Sequence, residues 1–171
     1  DDSERETVWL TDELGMGYEV WVDDAAAEED WLVLATTIPE LQEKMLSKWR
    51  GGRIVADTID TWIRTKRDIV ERVFSRCWGV CVNEHEAHLL VGKHGAEAAE
   101  RLQTRFGVEA ALVKQARYGV VGRIKEDWVV APAFPLSDVV DPTGAGDVLL
   151  GALVGYIADK GSVSARTVRE G

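Results

Sequence analysis

Apolar residues along this chain gather into short continuous runs separated by amphipathic stretches, the alternation that builds a parallel sheet covered on both faces. Residues 31–35, 53–57, 78–82 and 110–114 are runs of strand length, and each reads as a buried strand. Between them the polar and apolar positions change to a helical period over 39–49, 62–74, 84–90 and 95–106. Pro39 suits the first turn of the first of these helices, and Gly51 and Gly52 end it. In the last, Ala98, Ala99, Leu102 and Phe106 fall on one face. Residues 119–124 and 128–131 have the form of a hairpin, and 144–158 read as a closing apolar helix. Upstream, 7–10 and 18–22 are β-prone segments around a glycine-bearing turn, and an acidic linker over 23–30 follows them. The pattern therefore predicts an α/β fold with a mainly parallel sheet. In such sheets ligands bind beyond the carboxyl ends of the strands, where Asp57, Asn83 and Lys114 fall.

Composition narrows the partners. The chain has 171 residues, 46% apolar and 29% charged, enough for one globular domain with a sizeable core. No run reaches the roughly 18 apolar residues of a membrane span, so no membrane partner is expected. A net charge of −10 argues against a nucleic-acid groove, which needs a basic surface, but leaves room for ATP at a local positive patch. Cys77 and Cys81 lack a second pair that would complete a zinc site and read as reduced thiols near a buried strand. With no secretory apolar region in the sequence, a cytoplasmic setting is expected. His85, His88 and His94 read as helix-surface residues, and Trp31, Trp62 and Trp78 as packing residues. The chain opens at Asp1 in an acidic run and ends at Gly171 without a closing element, so a fragment of a longer protein is expected.

The densest chemistry lies in Asp141-Pro142-Thr143-Gly144-Ala145-Gly146-Asp147, directly before an apolar helix. A helix N-terminus presents unpaired backbone N–H groups and the positive end of the macrodipole, which attract anions. Asp147 beside such an anion site has the chemistry to take a proton from an attacking hydroxyl. The alternative is a plain glycine turn with a favourable acidic residue in the first helical turn. Asn83-Glu84-His85-Glu86 follows a strand and opens a helix. Its Asn and Glu, three apart, suit either a capping box or a shared water-bound cation. Lys114 leaves a strand at the turn Gln115-Ala116-Arg117-Tyr118-Gly119, as a point charge for a phosphate or as a solvated lysine.

The seven-residue string resembles the signature of the ribokinase-like (phosphofructokinase B) family of sugar and nucleoside kinases. The resemblance implies a ribokinase-like, Rossmann-type three-layer sandwich. It implies an anion hole at Gly144, Ala145 and Gly146, with Asp147 as the base that activates the acceptor hydroxyl. It assigns Asn83 and Glu86 to magnesium, through water, and Asp141 to a monovalent cation such as potassium. Lys114, Ala116, Gly119 and Thr143 fall on the nucleotide side, with Ala116 where the family usually has glycine. Arg5-Glu6-Thr7, Pro39-Glu40-Leu41-Gln42, Asp57-Thr58 with Trp62-Ile63, and Ala131-Pro132-Ala133-Phe134-Pro135-Leu136 are similar to segments of one bacterial branch of sugar kinases. Asp60 stands where that branch often has Asn, and Val148 where the family often has Ser or Thr. Residues 1–28 would be a partial β lid, and 29–171 an incomplete nucleotide-binding and catalytic domain.

The expected activity is ATP-dependent, magnesium-assisted transfer of the γ-phosphate to a hydroxyl of a sugar or nucleoside. The alternative is a truncated or degenerate nucleotide-binding module without kinase activity. A dinucleotide-dependent oxidoreductase is disfavoured, because no Gly-x-Gly-x-x-Gly follows the first strand. The acceptor's identity is left open, and so is assembly into a homodimer.

Overall fold

The structure is a computed structural model that describes residues 29–161 together with 163, 164, 166 and 168. The two β-prone segments and the lid expected over 1–28 lie outside the described residues. Six strands form one sheet in sequential order: β1 (Trp31–Leu34), β2 (Arg53–Ala56), β3 (Gly79–Asn83), β4 (Ala110–Lys114), β5 (Val120–Ile124) and β6 (Asp127–Ala131). The first four are parallel; β5 and β6 run antiparallel as the expected hairpin.

Five helices connect the strands on one face: α1 (Pro39–Lys48), α2 (Asp60–Thr65), α3 (Arg67–Phe74), α4 (Glu84–Val91) and α5 (Gly95–Phe106). Such one-sided stacking is what right-handed crossovers produce when neighbouring strands follow one another in sequence. The period-2 alternation of the strands feeds two cores. Leu34, Ala56, Val80, Val82, Ala111 and Val113 face the five-helix layer. Val55, Cys81, Ala110 and Leu112 face the other side, where α6 (Ala145–Lys160) lays Leu150, Leu153, Val154 and Ile157 against the sheet. The result is a three-layer α/β sandwich.

One expectation needs correction. The single helix over 62–74 is two helices broken at Lys66, whose φ of −138° and ψ of 36° are not helical. Neither Pro nor Gly marks the break; partners elsewhere in the fold hold it. Lys66 Nζ donates to Glu40 Oε1 at 2.7 Å, and Arg67 donates to the carbonyls of Leu89 and Leu90 at the end of α4, at 3.1 and 2.9 Å. Those are late carbonyls of a helix, which lack intrahelical partners.

Trp31 and Trp78 meet edge to face at 5.4 Å, with the Arg53 guanidinium over both rings. Cys77 and Cys81 are buried free thiols, and burial pushes both up to about 12, so neither offers a thiolate near neutral pH. His85, His88 and His94 lie exposed on the surface. No helix among the described residues is long and apolar enough to cross a membrane.

Candidate active site

Three parallel strands end beside one another, and their last positions bring polar side chains to one edge of the sheet. Asn83 closes β3 in register with Lys114, which closes β4, and Asp57 follows the last residue of β2. Asp57 is only 2% exposed. Its N–H donates to the Leu34 carbonyl at 3.0 Å, and its Oδ1 accepts from Thr58 N at 2.8 Å. Its own carbonyl accepts from Gln42 Nε2 at 3.0 Å. Gln42, 1% exposed on the inner face of α1, also reaches the carbonyls of Leu34 and Ala35, tying the ends of β1 and β2 together.

The remaining Asp57 oxygen, Oδ2, accepts from Lys114 Nζ. Burial pushes the Asp57 carboxyl above its ordinary range, against the downward pull of Lys114 and with a smaller upward push from Asp147. Burial works to lower the Lys114 ammonium, but the neighbouring Asp57 and Glu86 carboxyls favour its charged form and hold the value above ordinary. The lysine therefore stays charged.

The opposite layer brings α6 to the same place. Asp141 Oδ1 accepts from Thr143 N at 2.8 Å, and Ala145 N donates to Pro142 O at 3.1 Å. Between them Gly144 has φ 80° and ψ −7°, the third position of a type II turn, which disfavours any residue with a β-carbon. This turn uses the Ala145 N–H. Among the described residues the N–H groups of Gly146 and Asp147 have no protein acceptor. Of the three residues expected to form the anion hole, Ala145 thus has its amide spent within the turn. Gly146 packs on the lysine: a β-carbon there would lie 3.0 Å from Lys114 Nζ. Asp147 is exposed in the first turn of α6.

Asn83 and Glu86 form the complete capping box. Glu86 N donates to Asn83 Oδ1 at 2.8 Å, while the two Glu86 oxygens accept from Asn83 N at 2.7 Å and Nδ2 at 2.6 Å. Glu86 is 4% exposed, and burial pushes its carboxyl up to about 7 despite the hydrogen bond from Asn83 N. No group of three or more His, Cys, Asp or Glu among the described residues is placed to hold a metal ion. These two residues have lone pairs left for bridging waters rather than a direct ligand set.

The loop after β4 is a single 3₁₀ turn over Ala116–Tyr118. Gln115 N donates to Gly119 O at 2.7 Å and Gly119 N to Ala116 O at 3.1 Å. Ala116 has a φ of 47°, a left-handed conformation that favours glycine. Gly119, at φ 98°, has no room for a side chain, since a β-carbon would sit 2.0 Å from Ala131 O. Glu84 Oε1 accepts from Gln115 Nε2 at 2.6 Å and anchors this loop to α4.

The structure thus gathers Lys114, Gly146 and Asp147, and seats Asn83 and Glu86 beside them at the end of β3. Ala116 and Gly119 lie in the loop beyond β4, and Asp141 and Thr143 in the turn before α6. The sequence places Asp57 with Asn83 and Lys114 at the ligand-bearing strand ends but carries no sign of its pairing with Lys114, and it gives Gln42 no role. The signal for Gln42 was a polar residue spaced with Pro39 and Leu46 on one helix face. An apolar crevice between α6 and the sheet, lined by Trp31, Trp78, Leu112, Leu150 and Leu153 among others, has no charged side chain. It belongs to the second core.

Residues 5–167 match the pfkB family carbohydrate kinase pattern. The cytidine kinase of Thermococcus kodakarensis is 32% identical over 127 residues, covering 69% of this chain and 44% of that protein. Among solved structures, the ribokinase of Thermotoga maritima superimposes with a TM-score of 0.63 at 27% identity, covering 81% of this chain and 46% of that one. A PfkB protein from Polaromonas sp. JS666 superimposes at 0.69 with 20% identity, covering 86% and 53%. The chain therefore spans about half the length of these relatives.

Proposed function

The chain belongs to the pfkB family of carbohydrate kinases, and from that membership we propose that it supplies the catalytic half of an ATP-dependent phosphotransferase. The acceptor is a hydroxyl of a sugar or nucleoside, the substrate classes named by the ribokinase and cytidine kinase relatives. One observation supports this most directly: the exposed Asp147 carboxylate adjoins two acceptor-free amides and a charged lysine.

In this reading Asp147 takes the proton of the acceptor hydroxyl as its oxygen attacks the γ-phosphorus and the bond to the β-phosphate oxygen breaks, releasing ADP. The Gly146 and Asp147 amides, with the α6 dipole, meet the charge on the transferring group. Lys114 adds a fixed positive charge. Asn83 and Glu86 would hold magnesium through its waters, and the ion would supply positive charge to the phosphates. Asp141 and the turn at Thr143 offer oxygen ligands for a monovalent cation, while the Ala116–Gly119 loop borders the nucleotide.

The test is a phosphate-transfer assay with ATP–magnesium over a panel of sugars and nucleosides, comparing wild type with Asp147→Asn. Turnover is expected to fall by about 10²–10⁴-fold, the typical worth of a positioned general base, while calorimetric ATP binding persists. Near-normal turnover in the variant rejects Asp147 as the base. A second reading, a nucleotide-binding module without kinase activity, draws on the half-length coverage and on Ala116 at its left-handed position. ATP binding without transfer in the wild type favours it.

A further inference from the structure

The ion pair between Asp57 and Lys114 sits in an unusual place for a structural contact. It is nearly buried, with side-chain exposures of 3% and 15%, yet it lies directly beneath the opening turn of α6. A lysine near a surface ordinarily extends its ammonium into water. Here the ammonium is turned back to a carboxylate whose main chain is fixed by Leu34 and Gln42 and whose second oxygen is fixed by Thr58. Gly146 completes the arrangement. Its φ is not in the left-handed region, so the backbone does not demand glycine there. The space left by its missing β-carbon borders the Lys114 Nζ instead.

We infer that Asp57 is a positioning residue for the phosphate site, holding the Lys114 ammonium against Gly146 so that its charge backs an anion bound by the α6 amides. The inference rests on the phosphotransfer reading. It also carries a sign opposite to simple electrostatics. A buried carboxylate close to an anion site repels the anion through space, so removing its charge should tighten binding if Asp57 were only a source of field. If Asp57 works by aiming Lys114, removing its charge weakens binding, because the ammonium is released from Gly146. Asn keeps the size of the side chain and the acceptor for Thr58 N, so the local fold has what it needs.

The experiment measures ADP binding by calorimetry for wild type, Asp57→Asn, Lys114→Met and the double variant, with thermal melts to verify folding. Asp57→Asn is expected to weaken ADP by about tenfold, in line with one charge-assisted hydrogen bond lost. The double variant is expected to bind no worse than Lys114→Met alone, since Asp57 acts through the lysine. Nitrogen-15 NMR of the wild type supplies an independent readout. A held ammonium gives a side-chain resonance protected from exchange near pH 7, which shifts on adding ADP. Equal or tighter binding by Asp57→Asn overturns the inference, as does an additive double variant. An unprotected Lys114 ammonium in the wild type overturns it even if Asp57→Asn fails to fold. Wild type that binds no ADP overturns the phosphotransfer reading, and this inference with it.

Discussion

Ala116 occupies, at φ 47°, a conformation that costs an L-residue roughly 1–2 kcal/mol relative to glycine. The hydrogen bonds of Gln115 and Gly119 across the turn hold it there. Ala116→Gly is therefore expected to raise stability by about 1 kcal/mol, part of the relief being offset by the freer unfolded chain. The midpoint of urea unfolding measures it, and an unchanged or lower midpoint shows that the turn carries no strain. Glu86 makes the opposite kind of demand. Its folded carboxyl sits at about 7, above the ordinary 4.5, so between those values the native state keeps a proton that the unfolded chain loses. That contribution is fully present below pH 4.5 and is lost as pH rises through 7, at up to about 1.4 kcal/mol per pH unit. Asp57 is shifted in the same direction. Glu86→Gln should flatten, without abolishing, the decline in melting temperature from pH 5 to pH 7. A variant with the wild-type slope would remove Glu86 as its source.

At the level of elements, local chemistry was legible wherever a cap or a periodic face decided the outcome. Gly107, left-handed at φ 69°, ends α5 at Phe106, where the apolar face also runs out. The Asn83–Glu86 spacing was readable as a capping box, and the structure contains one. The break at Lys66 was invisible because its causes, Glu40 and the end of α4, are distant in sequence. Asp57 and Lys114 stand 57 positions apart, and only the pairing of β2 with β3 and β3 with β4 makes them neighbours. The string from Asp141 to Asp147 led to the expectation of an anion site. That its own turn would take the Ala145 amide depends on the type II geometry at Gly144, which composition alone does not specify.

At the scale of the molecule, β1 and β6 border the sheet among the described residues, and apolar side chains stay exposed on β6, at Val130, and after it, at Phe134, Leu136 and Val140. The two helical layers differ in support. Among the described residues five helices share one core, whereas the other face is covered by the apolar stripe of α6 together with Val163 and Val168. The proposed phosphate site straddles that division, with Lys114 rooted in β4 and the amides in α6. A ligand spanning the seam would therefore act as a rivet. At a hundredfold excess over its dissociation constant it adds about 2.7 kcal/mol to the lamination of α6 onto the sheet. Amide exchange over residues 150–157 should then slow with ADP while α3 and α5 keep their pace; uniform slowing would mean that the layers do not detach separately.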